Sequence, residues 1–170
     1  LVKQLYTAAI EHGAQRIVVC DTVGHSDPRG AWNLIRFVKR EVVKDHKVKV
    51  DWHGHRDRGL DVWNALTAYE AGVDRIHGAG IGIGERAGNA SLEEVVMAMR
   101  TRADFYHWTT NVVTQRLVPT SRLVSSITGM AIPRNKAIVG ENAFAHESGI
   151  HQHGMLRNSS TYEIMKPQDV

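Results

Sequence analysis

Two histidines separated by one glycine, His53-Gly54-His55, are the sharpest chemical signal in the sequence. They follow Lys47 to Trp52 (KVKVDW), an alternating run that reads as a strand. Residues two apart on a strand project from one face, so both imidazoles can reach one metal ion. In a chain with ten histidines such a pair also arises among ordinary surface or core residues, and spacing alone leaves both readings open. Asp57 follows closely and can either orient an imidazole from behind or cap a solvated helix. A second signal is Gly82-Ile83-Gly84-Glu85-Arg86-Ala87-Gly88-Asn89, where glycines let backbone approach a ligand and Glu85 and Arg86 are too polar for a casual buried loop. Asn89 can cap the next helix or give a hard divalent cation its amide oxygen. A third is Glu141 to Gly154, in which His146, His151 and His153 would face different directions on a helix. They do not make one metal site by themselves, and one of them is a candidate for catalysis.

The elements that must position these residues follow a repeating order. Leu1, Leu5, Ala8 and Ala9 recur at helical spacing up to Gly13. Arg16 to Cys20 (RIVVC) is a short β-branched run expected to form a buried strand. After a loop from Asp21 to Ser26, Asp27 as N-cap and Pro28 at the first helical position start a helix with Leu34, Ile35, Val38 and Val42 on one side. The strand at Lys47 to Trp52 is followed by a helix through Val62, Leu66 and Tyr69 that ends at Gly72, then a brief strand from Val73 to His77. Strand starts fall roughly 30 residues apart, the period of βα units in a parallel sheet. Three such units cannot close a barrel, which takes about 250 residues. An open doubly wound sheet would favour a G-x-G-x-x-G fingerprint after its first strand, and none occurs. Beyond Arg102 the rhythm stops, with helices expected near Thr114 to Ile127 and Phe144 to Arg157.

Composition narrows the functions. The net charge of +3 is spread through both halves without a run of five or six Lys or Arg, which argues against a nucleic-acid partner. One cysteine, Cys20, excludes an intramolecular disulfide and a multi-cysteine zinc site and points to a reducing, cytoplasmic setting. No window of 18 apolar residues exists, so no membrane is expected. There is no initiating methionine and Leu1 opens inside an amphipathic pattern, so the chain is expected to be a piece of a longer protein.

Taken together, D-T-V-G at Asp21 to Gly24, H-x-H at His53 to His55, G-I-G-E-R-A-G-N at Gly82 to Asn89 and H-E-S-G-I-H-Q at His146 to Gln152 resemble the isopropylmalate/homocitrate synthase family. These are Claisen-condensing acyltransferases related to the hydroxymethylglutaryl-CoA lyase barrels, and the isopropylmalate branch is the most similar. The resemblance covers nearly the whole chain. It implies an α/β fold: the C-terminal portion of a (β/α)8 TIM barrel over residues 1–103, about three βα units forming strands six to eight, then a mainly helical linker subdomain over 104–170.

The resemblance also implies roles. His53 and His55 would be metal ligands, with Asn89 a weaker oxygen donor to the same cation, Mn2+, Mg2+ or Zn2+. Thr22 would bond the carboxylate of a 2-oxo acid, and His151 would belong to the base machinery that deprotonates the methyl group of acetyl-CoA, the co-substrate. Tyr162 would arrive with His151 or serve as an interface residue. Glu85 would orient substrate or base, or form an ion pair with Arg86. The linker subdomain of such enzymes reaches into a neighbouring subunit, which implies a homodimer. The family's remaining ligand, an aspartate in an arginine-bearing first-strand motif, has no counterpart here, and Arg56 stands where relatives usually carry asparagine. The implied reaction joins acetyl-CoA to 2-oxoisovalerate. Homocitrate and citramalate synthases are alternatives, and a non-catalytic half-barrel that only binds metal or assembles is an alternative of another class.

Overall fold

The computed structural model describes residues 1–170, which divide into two compact units, Leu1–Ser91 and Leu92–Val170. In the first, helix α1 (Val2–Glu11) ends before Gly13, whose φ of 96° is one that residues with a side chain rarely adopt. Strand β1 (Arg16–Asp21) is followed by helix α2 (Pro28–Phe37). The start of α2 follows from chemistry: Asp27 is extended, its carboxylate accepts from the Gly30 N–H at 2.7 Å, and Pro28 supplies a preset φ. The helix runs into a π-helical turn, Val38–Val43, which apolar spacing does not announce. Strand β2 (Lys49–Gly54), helix α3 (Asp61–Glu70) and strand β3 (Arg75–Ile76) complete the βα order.

The strands form one parallel sheet in the order β1-β2-β3, with Ile17 opposite Val50, Val19 opposite Trp52 and Cys20 opposite His53. Ile17, Val19, Val50 and Trp52 alternate onto one face and are buried, as are Ile35 and Val38 on the α2 side and Ala65 and Ala68 on α3. Both outer strands have only β2 as a partner. On β1 the Val18 carbonyl receives the Tyr6 hydroxyl of α1 at 2.8 Å.

Two strands differ from their sequence-based bounds. β2 is displaced two residues toward the histidines, because Lys49 begins the ladder with β1 at Arg16. β3 keeps only the two residues that pair with Asp51 and Trp52, although the backbone N–H groups of Asp74 and His77 still donate to Val50 and Trp52.

The second unit holds helices α4 (Leu92–Thr101), α5 (Ala103–Tyr106), α6 (Leu117–Thr128) and α7 (Gly149–Arg157), with a 3-10 turn at Thr114–Arg116 before α6. Helix α4, which the boundary expected at 103/104 would leave with the βα units, falls in this second unit. Lys136, its side chain only 8% exposed, ties it to the chain that follows, pairing with Glu93 at 3.1 Å and with Glu94. Helix α7 begins at Gly149 and not at Phe144, because Ser148 is extended and residues 142–145 close a turn of their own. His146 therefore lies off the helix that carries His151 and His153. No helix is long and apolar enough to cross a membrane.

Removing the Asp27 cap by Asp27→Ala should lower stability by about 1 kcal/mol, the usual worth of such a bond. Urea unfolding followed by circular dichroism checks this, and an unchanged midpoint would contradict the capping role.

Candidate active site

The site grows from the alternation along β2. Asp51 and His53 lie opposite Val18 and Cys20 of β1, and the same two-residue step carries His55, just past the strand, to the same face. The His53 and His55 rings are 5.3 Å apart at 76°, and His77, just past β3, brings a third ring to 5.5 Å from His53. His77 Nε2 lies 3.1 Å from one oxygen of Asp51, whose other oxygen receives Arg16 Nη1. Asp51 is 1% exposed, and a carboxylate that deep needs such partners. Asp51 and His77 escaped the sequence reading. Their signals were Asp51 two residues before His53 and a histidine closing the third βα strand.

The glycine-rich loop delivers Asn89. A backbone bridge links Asn89 to His55, and its amide nitrogen lies 3.3 Å from both His53 Nε2 and the Gly54 carbonyl. A half-turn of the amide exchanges nitrogen for oxygen, so the same position can face either a lone pair or a cation. Gly88, at φ 107°, permits this closeness: a Cβ there would stand 1.9 Å from the Gly82 carbonyl oxygen. His55 Nδ1 is buried without a hydrogen-bond partner. Burial first, then the neighbouring His55 and His77, hold the His53 imidazole below its usual proton affinity. An unpartnered buried nitrogen, an imidazole whose protonation burial disfavours and an adjacent amide suit a divalent cation that accepts nitrogen and oxygen. They make only part of a shell: no group of three or more His, Cys, Asp or Glu is arranged to hold an ion.

Other candidates sit differently from the sequence-based reading. Asp57 orients no imidazole, because both its oxygens are held by Arg86, from Nε at 2.8 Å and Nη2 at 3.1 Å. This fork matches a carboxylate in geometry and charge, and the guanidinium holds the Asp57 carboxyl below its ordinary range. Arg86 Nη2 also donates to the Thr22 carbonyl, while the Thr22 residue itself is exposed. Glu85 has its side chain 81% exposed with Arg86 at 3.8 Å, the ion-pair alternative. Arg56 runs along the glycine loop, its backbone N–H donating to Gly88 at 3.0 Å and Nη1 to the Ser91 hydroxyl at 3.3 Å.

In the second unit, His151 on α7 stacks on the ring of Tyr162, 4.2 Å between centroids and 30° between planes. The preceding bend places His146 Nε2 3.1 Å from Glu163, next to Tyr162 in sequence. This brings the two expected catalytic side chains of the tail together. His153 is exposed on α7.

A parallel βα repeat with histidines gathered at the carboxyl ends of its strands is a part of a (β/α)8 barrel, the class of enzyme whose chemistry sits at that end. Within that class the chain belongs to the HMGL-like family, whose model matches residues 1–124; residues 138–170 match a homocitrate synthase post-HMGL domain-like model. It is 54% identical over 163 residues to a 2-isopropylmalate synthase of Rhodopirellula baltica, covering 96% of this chain and 31% of that protein. To a 2-isopropylmalate synthase of Nitratidesulfovibrio vulgaris it is 53% identical over 167 residues, covering 98% and 32%. The chain thus spans about a third of the length of these relatives. Among solved structures, an HMG-CoA lyase from Acinetobacter baumannii in complex with coenzyme A and 3-methylmalate superposes with a TM-score of 0.67 at 25% identity, over 86% of this chain and 48% of that one.

With burial and two neighbouring imidazoles lowering its proton affinity, His53 in the metal-free protein should titrate below about 6.5, the ordinary imidazole value. Histidine nitrogen shifts followed by NMR across pH 4–8 measure this. A midpoint at or above that value would contradict the burial argument.

Proposed function

We propose that this chain is the C-terminal catalytic portion of a cytoplasmic, homodimeric 2-isopropylmalate synthase, which condenses acetyl-CoA with 2-oxoisovalerate and releases CoA. The observation that carries the reading is the convergence of His53, His55 and Asn89 at the carboxyl end of β2, in a chain matched almost end to end by enzymes of that name. We also read residues 1–103 as barrel and 104–170 as linker subdomain by function, with α4 serving as the last barrel helix.

His53 and His55 would hold a divalent cation with Asn89 beside them, leaving room for a carboxylate from outside the chain. A bound cation supplies Lewis acidity that makes the ketone carbon of the 2-oxo acid electrophilic. The Thr22 hydroxyl donates to the carboxylate of that acid and fixes its orientation. His151 Nε2 or Nδ1, steadied by the Tyr162 ring, takes a proton from the acetyl methyl group. The carbanion attacks C2, the ketone oxygen gains a proton to become a hydroxyl, and water hydrolyses the thioester to a carboxylate and CoA thiol. Glu85 lies on the loop beside Asn89 and is suited to orient substrate.

In a full-length protein carrying this chain, His53→Ala with His55→Ala should abolish both metal retention and CoA release, read by metal analysis and a thiol assay. Wild-type turnover by that variant after exhaustive chelation would contradict the assignment. His151→Ala should lower kcat roughly a hundredfold or more while 2-oxo acid binding persists. Normal kcat with lost binding would contradict its role as base. Offered 2-oxoisovalerate, pyruvate and 2-oxoglutarate, the protein should prefer the first; preference for another would assign the citramalate or homocitrate reaction. The 170-residue chain alone should be silent in the same assay, because its sheet ends in two open edges and no group of three or more His, Cys, Asp or Glu is arranged to hold an ion.

A further inference from the structure

We propose that Arg86 and Arg58 are positioning residues for 2-oxo acid recognition: together they hold the loop that carries Thr22 in the form that binds the substrate carboxylate. This rests on the function proposed above and adds two residues and a device to it.

The loop after β1 is ordered from within by Asp21 and from outside by donors on the next two strand ends and α3. Inside it, the buried Asp21 carboxylate accepts the N–H groups of His25 at 2.8 Å and Ser26 at 3.1 Å. Its carbonyls face guanidinium donors from the next two strand ends. Arg86, after β3, takes the Thr22 carbonyl, while Arg58, after β2, takes those of Gly24 at 3.0 Å, His25 at 2.6 Å and Ser26 at 3.0 Å. Buried Asn64 adds a second bond to Ser26 at 2.8 Å. The loop is also pressed against the metal strand: Gly24 has φ 64°, and a Cβ there would meet the Asp57 nitrogen and the His55 carbonyl oxygen at 3.1 Å each. One residue therefore separates two fixed points, the Arg86-bound carbonyl of Thr22 and the wedged Gly24.

Arg86 is itself held in an uncommon state. Its φ is 57°, a left-handed conformation that a residue with a side chain keeps only when its surroundings require it. Those surroundings are Asp57, bound through both oxygens, and the Thr22 carbonyl. One guanidinium thus links the ends of all three strands, and the loop bearing Asn89 shares its anchor with the loop bearing Thr22. A carboxylate-binding hydroxyl acts through direction, so a loop free to turn would weaken binding without touching the proton-transfer step.

The test uses the full-length protein with Thr22→Val, Arg86→Lys and Arg58→Lys, singly and with each lysine variant combined with Thr22→Val. The lysines keep the charge and lose the fork. KM for each substrate, kcat, metal content and melting temperature are measured. Thr22→Val should raise KM for the 2-oxo acid roughly tenfold or more. Each lysine variant should raise the same KM several-fold, with kcat, KM for acetyl-CoA and metal content within about twofold, and should add little on top of Thr22→Val. If Arg86→Lys does not fold, Asp57→Asn removes the carboxylate that holds Arg86 and should give the same KM signature. Lysine variants that leave KM unchanged, add fully to Thr22→Val, or change all constants in step with lost thermal stability would overturn the proposal. An unchanged KM in Thr22→Val would overturn it too, while leaving the overall reaction standing. Absence of any 2-oxo-acid-dependent CoA release from the unvaried protein would overturn the functional reading, and this proposal with it.

Discussion

The two-residue alternation of β2 is the constraint from which the rest follows. It directs Val50 and Trp52 into the apolar core and Asp51 and His53 to the opposite face, with His55 continuing that direction past the strand. A slip of one residue would bury two imidazoles among aliphatic side chains and turn Trp52 outward, so the core enforces the site. The parallel register with β1 then sets Asp21 beside Gly54, and the loops that follow both strands leave from the same level.

That arrangement explains why so many charged groups crowd the strand ends. Asp51 is held by Arg16 and His77, Asp57 by Arg86, and the β1 loop carbonyls by Arg58 and Arg86. The Asp51 bonds join neighbouring strands, and those of Arg58 and Arg86 each tie one βα loop to another, so the loops form one cross-linked rim. The glycines of the 82–88 stretch let that rim close, since side chains at Gly84 or Gly88 would collide with Asn89 or with the Gly82 carbonyl. In the second unit the His146–Glu163 pair does similar work at smaller scale, fixing the segment whose Tyr162 stacks on His151.

Much of this was legible in the sequence where local chemistry decides the outcome. Asp27-Pro28 announced a helix start, Gly13 and Gly72 announced helix ends, and the H-x-H spacing announced a shared face. For Asn89 the residue types left a helix cap and an oxygen donor both open, and only the family resemblance put it beside the histidines. What stayed hidden depends on contacts between distant residues. Asp57 is near His55 in sequence, yet the fork of Arg86, 29 residues on, takes it. Asp51 reads as a polar interruption of a strand until Arg16 and His77 are brought to it. The π-helical turn at Val38–Val43 is invisible to apolar spacing, and the start of α7 depends on a turn at 142–145 that no residue pattern marks.

The proposed chemistry requires His53 and His55 to share one cation. The most direct measurement is X-ray absorption on the full-length protein loaded with a single metal, with and without His53→Ala and His55→Ala. The expected spectrum has two imidazole ligands at about 2.0–2.1 Å for zinc, reduced by one in each single variant. An imidazole contribution that is absent, or that survives both substitutions unchanged, would contradict it.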